Sequence, residues 1–307
     1  MTKTEAELSG LTFGCELEYE GISQERAARL IAEVTGGRVE GGSYPKVRMP
    51  DGRIWKVVFD GSLNGVSSES VSPILRVADL PMLKKVVKAL KRGGARTGGK
   101  TGLHIHVGLR EFGPVAVRNL VRTFYRQEEL ILKAAGTTAA RLGHYTKRTD
   151  HAFVDRICRN RNPTWDSLNR AWFGTYTSFV GSHEGHRYRA MNLNNIWEGS
   201  GTVEFRFWEA TTDYERLAAN ILFSLLLVAR AKDAKASSAR AQRPYSEASA
   251  KYDFRVFLLR LGANGPMFKS MRKILMANLP GSAAWKDGRH DKPRANAEAQ
   301  ANAAVNG

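Results

Sequence analysis

The chain has 307 residues, 42% of them apolar and 25% charged, a balance that supports a sizeable folded core and excludes a disordered or fibrous protein. Lys and Arg number 47 against 30 Asp and Glu, so the net charge of +17 favours an acidic partner: nucleic acid, a nucleotide or a carboxylate-rich substrate. Two cysteines, Cys15 and Cys158, exclude a disulfide framework.

The opening MTKTEAELSG lacks the apolar core of a secretory signal, and the longest apolar stretch, 221–229, falls short of the ~20 residues that span a bilayer. The expected address is the cytoplasm. Residues 1–10 read as an N-terminal arm and 11–231 as one catalytic-sized domain. LTFGCELEYE alternates, with Phe13, Cys15, Leu17 and Tyr19 on one face and Glu16, Glu18 and Glu20 on the other, which predicts a strand. IWKVVFDGSLNG predicts a second strand ending in a Gly/Asn turn, and SSESVSPIL a third that Pro73 ends or confines to an edge. Asp79 ahead of Pro81 reads as a capped start for a helix over PMLKKVVKAL.

A glycine-rich connector leads to LHIHVGL, where Leu103, Ile105 and Val107 alternate with His104 and His106 as in a strand. A long helix is expected over 115–135, mostly loop over 141–190, a strand at TVEFRFWEA and an apolar helix over 214–231. Polar, small residues make 232–250 a linker. Residues 251–280 predict a C-terminal segment of one or two small helices, and 281–307 a disordered tail.

Three strands share one peculiarity. Each carries ionisable residues at i and i+2 opposite its apolar face: Glu16 and Glu18, His104 and His106, Glu204 and Arg206. A sheet packed on helices through the apolar faces would display all six together. A solvated face favours Thr, Lys, Gln and Ser at such positions, and Glu-x-Glu sets like charges side by side at a cost that a bound cation removes. Several carboxylates with one or two histidines and no thiolate suit Mg²⁺ or Mn²⁺; a catalytic zinc site of His-x-His plus Glu is the lesser alternative.

Gly94-Ala95-Arg96-Thr97-Gly98-Gly99-Lys100-Thr101 matches the phosphate-loop pattern letter for letter, but a helix precedes it and a strand follows, the reverse of the order that aims a helix N-terminus at phosphate. It reads as a decoy. Lys84, Lys85, Lys88, Lys91, Arg92, Arg96 and Lys100 form a basic run without an acid: either a solvated helix face or a contact for a polyanion.

FGCELEYE, DGSLNGVSSESVSPIL, GLHIHVGL and NLNNIWEGSGTVEFRFWEATTD, in that order, resemble the amidoligase family of the carboxylate–amine ligase superfamily, relatives of glutamine synthetase and glutamate–cysteine ligase. The resemblance covers residues 11–230. It implies an α+β fold, a curved antiparallel sheet with helices on its outer face as in the glutamine synthetase catalytic domain, holding ATP and Mg²⁺ or Mn²⁺. Carried over by position, it implies metal binding by Glu16, Glu18, Glu69, His104 and Glu204. His106 falls nearer the nucleotide phosphates, and Arg206 clamps a carboxylate or phosphate. Asn192 and Asp60 match positions of less defined role, Asn192 being grouped with Glu69 and Arg206 as catalytic. Ser70 stands where the Glu69 motif usually carries an apolar residue, and 141–190 aligns with nothing. The implied activity joins a carboxylate to an amine, either of them free or on a peptide or protein, through an acyl phosphate. A basic module that binds nucleic acid or acidic protein, and a metal-dependent hydrolase, are the alternatives.

Overall fold

The computed structural model describes residues 2–59, 61, 65–98, 100–109, 111–234 and 241–286, with the backbone alone at 144, 182–184 and 233. Strands β1 (Phe13–Glu20), β2 (Arg38–Glu40), β3 (Lys46–Arg48), β4 (Ile54–Val58), β5 (Ser67–Val71), β6 (Gly102–Gly108), β7 (Met191–Asn192) and β8 (Thr202–Glu209) form one sheet. Its order is β2-β3-β4-β5-β1-β6-β8-β7, with every neighbouring pair antiparallel.

Among the described residues ten α-helices accompany it: α1 (Lys3–Gly10), α2 (Gln24–Thr35), α3 (Leu80–Arg92), α4 (Pro114–Ala135), α5 (Ala139–His144), α6 (His151–Arg159), α7 (Trp165–Phe173), α8 (Tyr214–Asp233), α9 (Ala250–Arg260) and α10 (Lys269–Ala277). The protein is thus a mixed α/β fold built on one antiparallel sheet. α2 lies along β3, β4 and β5, α4 on β8, and α8 on β6, while α3 packs on α2 and α8. Alternation drives this arrangement: Phe13, Cys15, Leu17 and Tyr19 of β1 are all buried in the core that these helices cover. α8 is apolar on nearly every side because the sheet, α1, α3, α4 and α10 surround it. Phe254, Phe257, Met271 and Leu275 of α9 and α10 belong to that same core. Among the described residues no helix is long and apolar enough to cross a membrane.

The structure corrects the sequence reading in several places. Residues 141–190 are not mostly loop: they carry most of α5, all of α6 and α7, and a 3-10 helix at Val180–Tyr188. Asp150 and Thr164 cap α6 and α7 by accepting from Ala152 N and Ser167 N, and Phe153, Val154, Ile157 and Cys158 bury one stripe of α6. The arm at 1–10 contains α1, closed at its start by a reciprocal box between Thr2 and Glu5. Asp79 precedes α3 without capping it through its side chain; its carboxylate accepts from Arg76 N and pairs with Arg53 at 3.0 Å. The linker at 232–250 is anchored where described, since Arg243 pairs with Asp253 at 2.6 Å and Gln242 donates to Glu128. Asp60, Gly99 and residues 287–307 lie outside the described residues.

Candidate functional site

Glu16 of β1 faces His104 of β6 across the ladder, and His106 faces Glu204 of β8, whose other neighbour is Asn192 of β7. Four adjacent strands therefore deliver five polar side chains to the face opposite the helices. His104 Nδ1 lies 3.0 Å from Glu16 Oε2 and 3.6 Å from Glu204 Oε1, and His106 Nε2 lies 3.2 Å from Glu16 Oε1. Asn192 Nδ2 donates to Glu204 Oε2 at 2.7 Å. Ligand atoms of Glu16, His104 and Glu204 all fall within 4.8 Å of one another, a spacing a single cation could bridge.

Arg206 arrives by a local irregularity. Leu103 pairs with Trp208 but Ile105 pairs with Phe205, so β8 carries an extra residue opposite His104. The bulge turns Phe205, Phe207 and Trp208 into the core while Arg206 Nη1 reaches Glu204 Oε1. It also releases the Arg206 carbonyl, which accepts from Arg141 Nη2 and Thr146 Oγ1, each at 3.0 Å. Arg206 is only 7% exposed and its guanidinium lies 5.9 Å from the Tyr188 ring centroid.

Glu18 and Glu69 sit two residues along. They face each other across β1 and β5, and Glu18 adjoins the Glu16, His104 and Glu204 cluster through His104. Glu18 Oε2 accepts from Gly102 N at 2.5 Å and Oε1 lies 3.5 Å from His104 Nε2. Thus the His104 imidazole stands between Glu16 and Glu18. Ser70, the departure from the family motif, hydrogen-bonds the buried Tyr19 hydroxyl at 2.6 Å, a partner that an apolar residue could not supply.

Burial would raise the Glu16 carboxyl, but hydrogen bonds and charge from His104 and His106 hold it well below the usual carboxylate range. Glu204 is likewise lowered against its burial, by Arg206 and the two histidines. His106 is raised despite burial, through Glu16 and then Glu204. Glu16 and Glu204 are thus both held in their carboxylate forms, with the Arg206 guanidinium beside them. Burial pushes the Cys15 thiol up to about 12, which removes it as a nucleophile.

Two cavities meet at Glu16, His106 and Asn195. The larger, about 600 Å³, is walled by apolar groups including Leu11, Phe13, Pro73, Ile74 and Phe112. The smaller, about 370 Å³, is polar and gathers Arg187, Arg206, Asn194 and Glu198. Asn195, Arg187, Glu198 and Arg141 are residues that sequence reasoning missed. Asn195 Nδ2 lies 3.1 Å from His106 Nδ1, and Asn194 Oδ1 accepts from Trp172 Nε1 at 2.7 Å. The crowding of Asn192, Asn194 and Asn195 before β8 was the available signal, since asparagines cluster where backbone leaves regular structure.

The donor set fits a hard divalent cation: carboxylate oxygens with one imidazole, no thiolate, and ligand atoms already converged. Among the described residues Arg206 Nε has no hydrogen-bond partner although it is buried, a donor that an anionic group could use.

The face thus combines converged carboxylate and imidazole ligand atoms with a buried guanidinium, a grouping chemically able to meet charged carboxylate or phosphate groups. The chain belongs to the amidoligase family, whose model, described as "putative amidoligase enzyme", matches residues 9–228. No curated protein matches it. Among solved structures it is similar to a bifunctional glutathione synthetase from Pasteurella multocida, at 12% identity and a TM-score of 0.45 over 88% of this chain. The chain spans about half of that protein, 48% of its length.

Proposed function

We propose that this amidoligase is an ATP-dependent carboxylate–amine ligase that works through an acyl phosphate, on a sheet curved as in glutamine synthetase. The observation that carries the reading is the meeting of two cavities at Glu16, His106 and Asn195, next to the converged Glu16, His104 and Glu204 ligand atoms.

The larger cavity has the volume and apolar walls for a nucleoside triphosphate, and the smaller has the arginines for a carboxylate. A carboxylate oxygen attacks the terminal phosphorus and ADP leaves. The amine nitrogen then attacks the acyl carbon, expelling phosphate and losing a proton. Arg206 offers a planar fork to the carboxylate or the phosphoryl oxygens. His106, anchored by Asn195, lies at the junction and holds its Nε2 beside Glu16. Asn192 fixes the Glu204 carboxylate so that its Oε1 stays with Arg206. Glu16, His104 and Glu204 would hold one Mg²⁺ or Mn²⁺, and Glu18 with Glu69 would contribute carboxylates to a second. A bound cation supplies neutralisation of phosphoryl charge. The acceptor carboxylate or amine can be free or part of a peptide.

The test is isotope transfer. Candidate carboxylates labelled with ¹⁸O are incubated with ATP, Mg²⁺ and a panel of amines, and released phosphate is weighed by mass spectrometry. Label in the phosphate, together with an amide product, is the expected result. AMP with pyrophosphate would replace the acyl phosphate by an adenylate, and cleavage of amides without ATP would make the protein a hydrolase.

A further inference from the structure

The basic run on α3 lies on the other side of the sheet from this site. Leu83, Val86, Val87 and Leu90 bury one face of α3, which packs on α2 and α8, the helices that cover the apolar side. Its outer face carries Lys85, Lys88, Lys91 and Arg92, which with Val34 of α2 line a groove of about 640 Å³. All four cations are exposed. Lys84 is set apart, lying 3.6 Å from Glu215 and over the Tyr214 ring. Among the described residues no carboxylate comes within ion-pair distance of the four, and none lines the groove; the acids of α2, Glu25 and Glu33, lie outside its lining.

We propose that this groove binds the phosphate backbone of a nucleic-acid duplex. Lys85, Lys88 and Arg92 follow one another at i, i+3 and i+7, a single stripe about 10.5 Å long at 1.5 Å per residue. One strand of a duplex passes about three phosphates over that length, at 3.4 Å each. Lys91 and Arg92 also meet the negative end of α3 in its last turn, but Lys85 and Lys88 are too far back for the helix dipole to explain them.

Composition decides among polyanions. Protein interfaces are depleted of lysine at their centre and need apolar anchors, whereas here three lysines and an arginine share the groove with one valine. Single strands are held by stacking bases on aromatic rings, and among the described residues no aromatic side chain lines this groove. A duplex backbone asks for neither. The contact is sequence-independent and places duplex on the back of the sheet, leaving both cavities of the front open.

The experiment measures anisotropy of a fluorescent mixed-sequence duplex of about three turns, ~30 base pairs, against salt. With about three phosphates neutralised, log K should fall against log salt with a slope of about −2.7, about 40-fold between 50 and 200 mM. Lys85→Glu/Lys88→Glu/Arg92→Glu should weaken binding at least ~10-fold at low salt and flatten that slope. Arg255→Glu/Arg260→Glu/Lys269→Glu, an equal charge change at exposed positions of α9 and α10, should cost less than about threefold. If the reversal variant melts early by circular dichroism, Lys85→Gln/Lys88→Gln/Arg92→Gln replaces it. Equal losses in both variants would reduce the effect to net charge and overturn the groove. Tighter binding of poly-glutamate, or of a single strand of the same sequence, would assign the groove to a different partner, and no binding by wild type would leave it a solvated face.

Discussion

Glu18 and Glu69 stand directly opposite one another on neighbouring antiparallel strands, two carboxylates where like charges repel. Together with Glu16 and Glu204 they gather four carboxylates on the sheet, a crowding that a divalent cation would relieve. Protein stripped with EDTA should therefore gain thermal stability on adding Mg²⁺ or Mn²⁺, by about 2.7 kcal/mol at a hundred times the Kd. Turnover of ATP should stop in EDTA and return with either ion. A melting temperature indifferent to saturating metal would count against the cation site.

The Glu16 and His106 pair sets a pH signature for the metal-free protein. A carboxyl lowered by its imidazole neighbours contributes stability above its unfolded value of about 4.3, and loses it as pH falls through the lower folded value. An imidazole raised by Glu16 contributes below its unfolded value of about 6.5, and loses it as pH rises through the higher folded value. Both contributions are complete between about pH 4.3 and 6.5. Glu16→Gln should flatten that maximum and cost about 1–3 kcal/mol within it, because the contacts with His104 and His106 lose the carboxylate charge. Melts across pH in EDTA read the difference, and a variant profile parallel to wild type would deny the pair this role.

Gly102 gives room to Arg141. A Cβ at Gly102 would lie 2.6 Å from Arg141 Nη2, the atom that holds the Arg206 carbonyl at the bulge. Gly102→Ala should cost about 1–3 kcal/mol by displacing that guanidinium. In Gly102→Ala/Arg141→Ala the space is free, so the two changes should be non-additive by at least about 0.5 kcal/mol in denaturant titrations. Additivity would mean that the close approach exerts no strain.

The phosphate-loop look-alike provides a negative control. Residues 94–101 connect the end of α3 to the start of β6, and Thr101 Oγ1 accepts from Gly98 N within the loop. Lys100→Ala should reduce turnover by less than about tenfold, under ~1.4 kcal/mol. A loss of several thousandfold in kcat/KM would return this lysine to the phosphates.

What the sequence made legible was whatever alternates against a buried face. β1, β6 and β8 could be read because Phe13, Ile105 and Phe205 had to point one way, which left Glu16, His104 and Glu204 pointing the other. The bulge at Arg206 was marked only by the adjacent Phe207 and Trp208, a break in alternation that resembles ordinary noise. α6 and α7 were missed because each is about two turns long, too short for periodicity to emerge among so many Arg and Asn residues, although Asp150 and Thr164 were fair start signals. The Thr2 and Glu5 spacing was a capping-box signature that went unread. Arg187, Asn195 and Glu198 come from irregular backbone and a 3-10 turn, where no period exists to be read, so only the folded chain brings them to the strands.

Glu204 and Arg206 share an intimate contact, yet their losses should differ in kind. Arg206 Nη1 donates to Glu204 Oε1, while Asn192 occupies Oε2, so Glu204 is held by two donors before any cation arrives. Glu204→Gln keeps the shape but halves the acceptor capacity and removes a charge. Its activity should fall and recover in part as metal is raised, because the lesion is in ion affinity. Arg206→Lys keeps the charge but loses the planar fork, and a lysine cannot serve Glu204 and a second oxyanion from one rigid group. It should lose about 10²-fold or more in kcat at every metal concentration, the order expected when a preorganised donor to developing negative charge is removed. Steady-state kinetics across a metal titration separate the two. Near-normal kinetics in Arg206→Lys would reduce this arginine to a counter-charge for Glu204, and metal rescue of both variants would place them in one ion-binding unit.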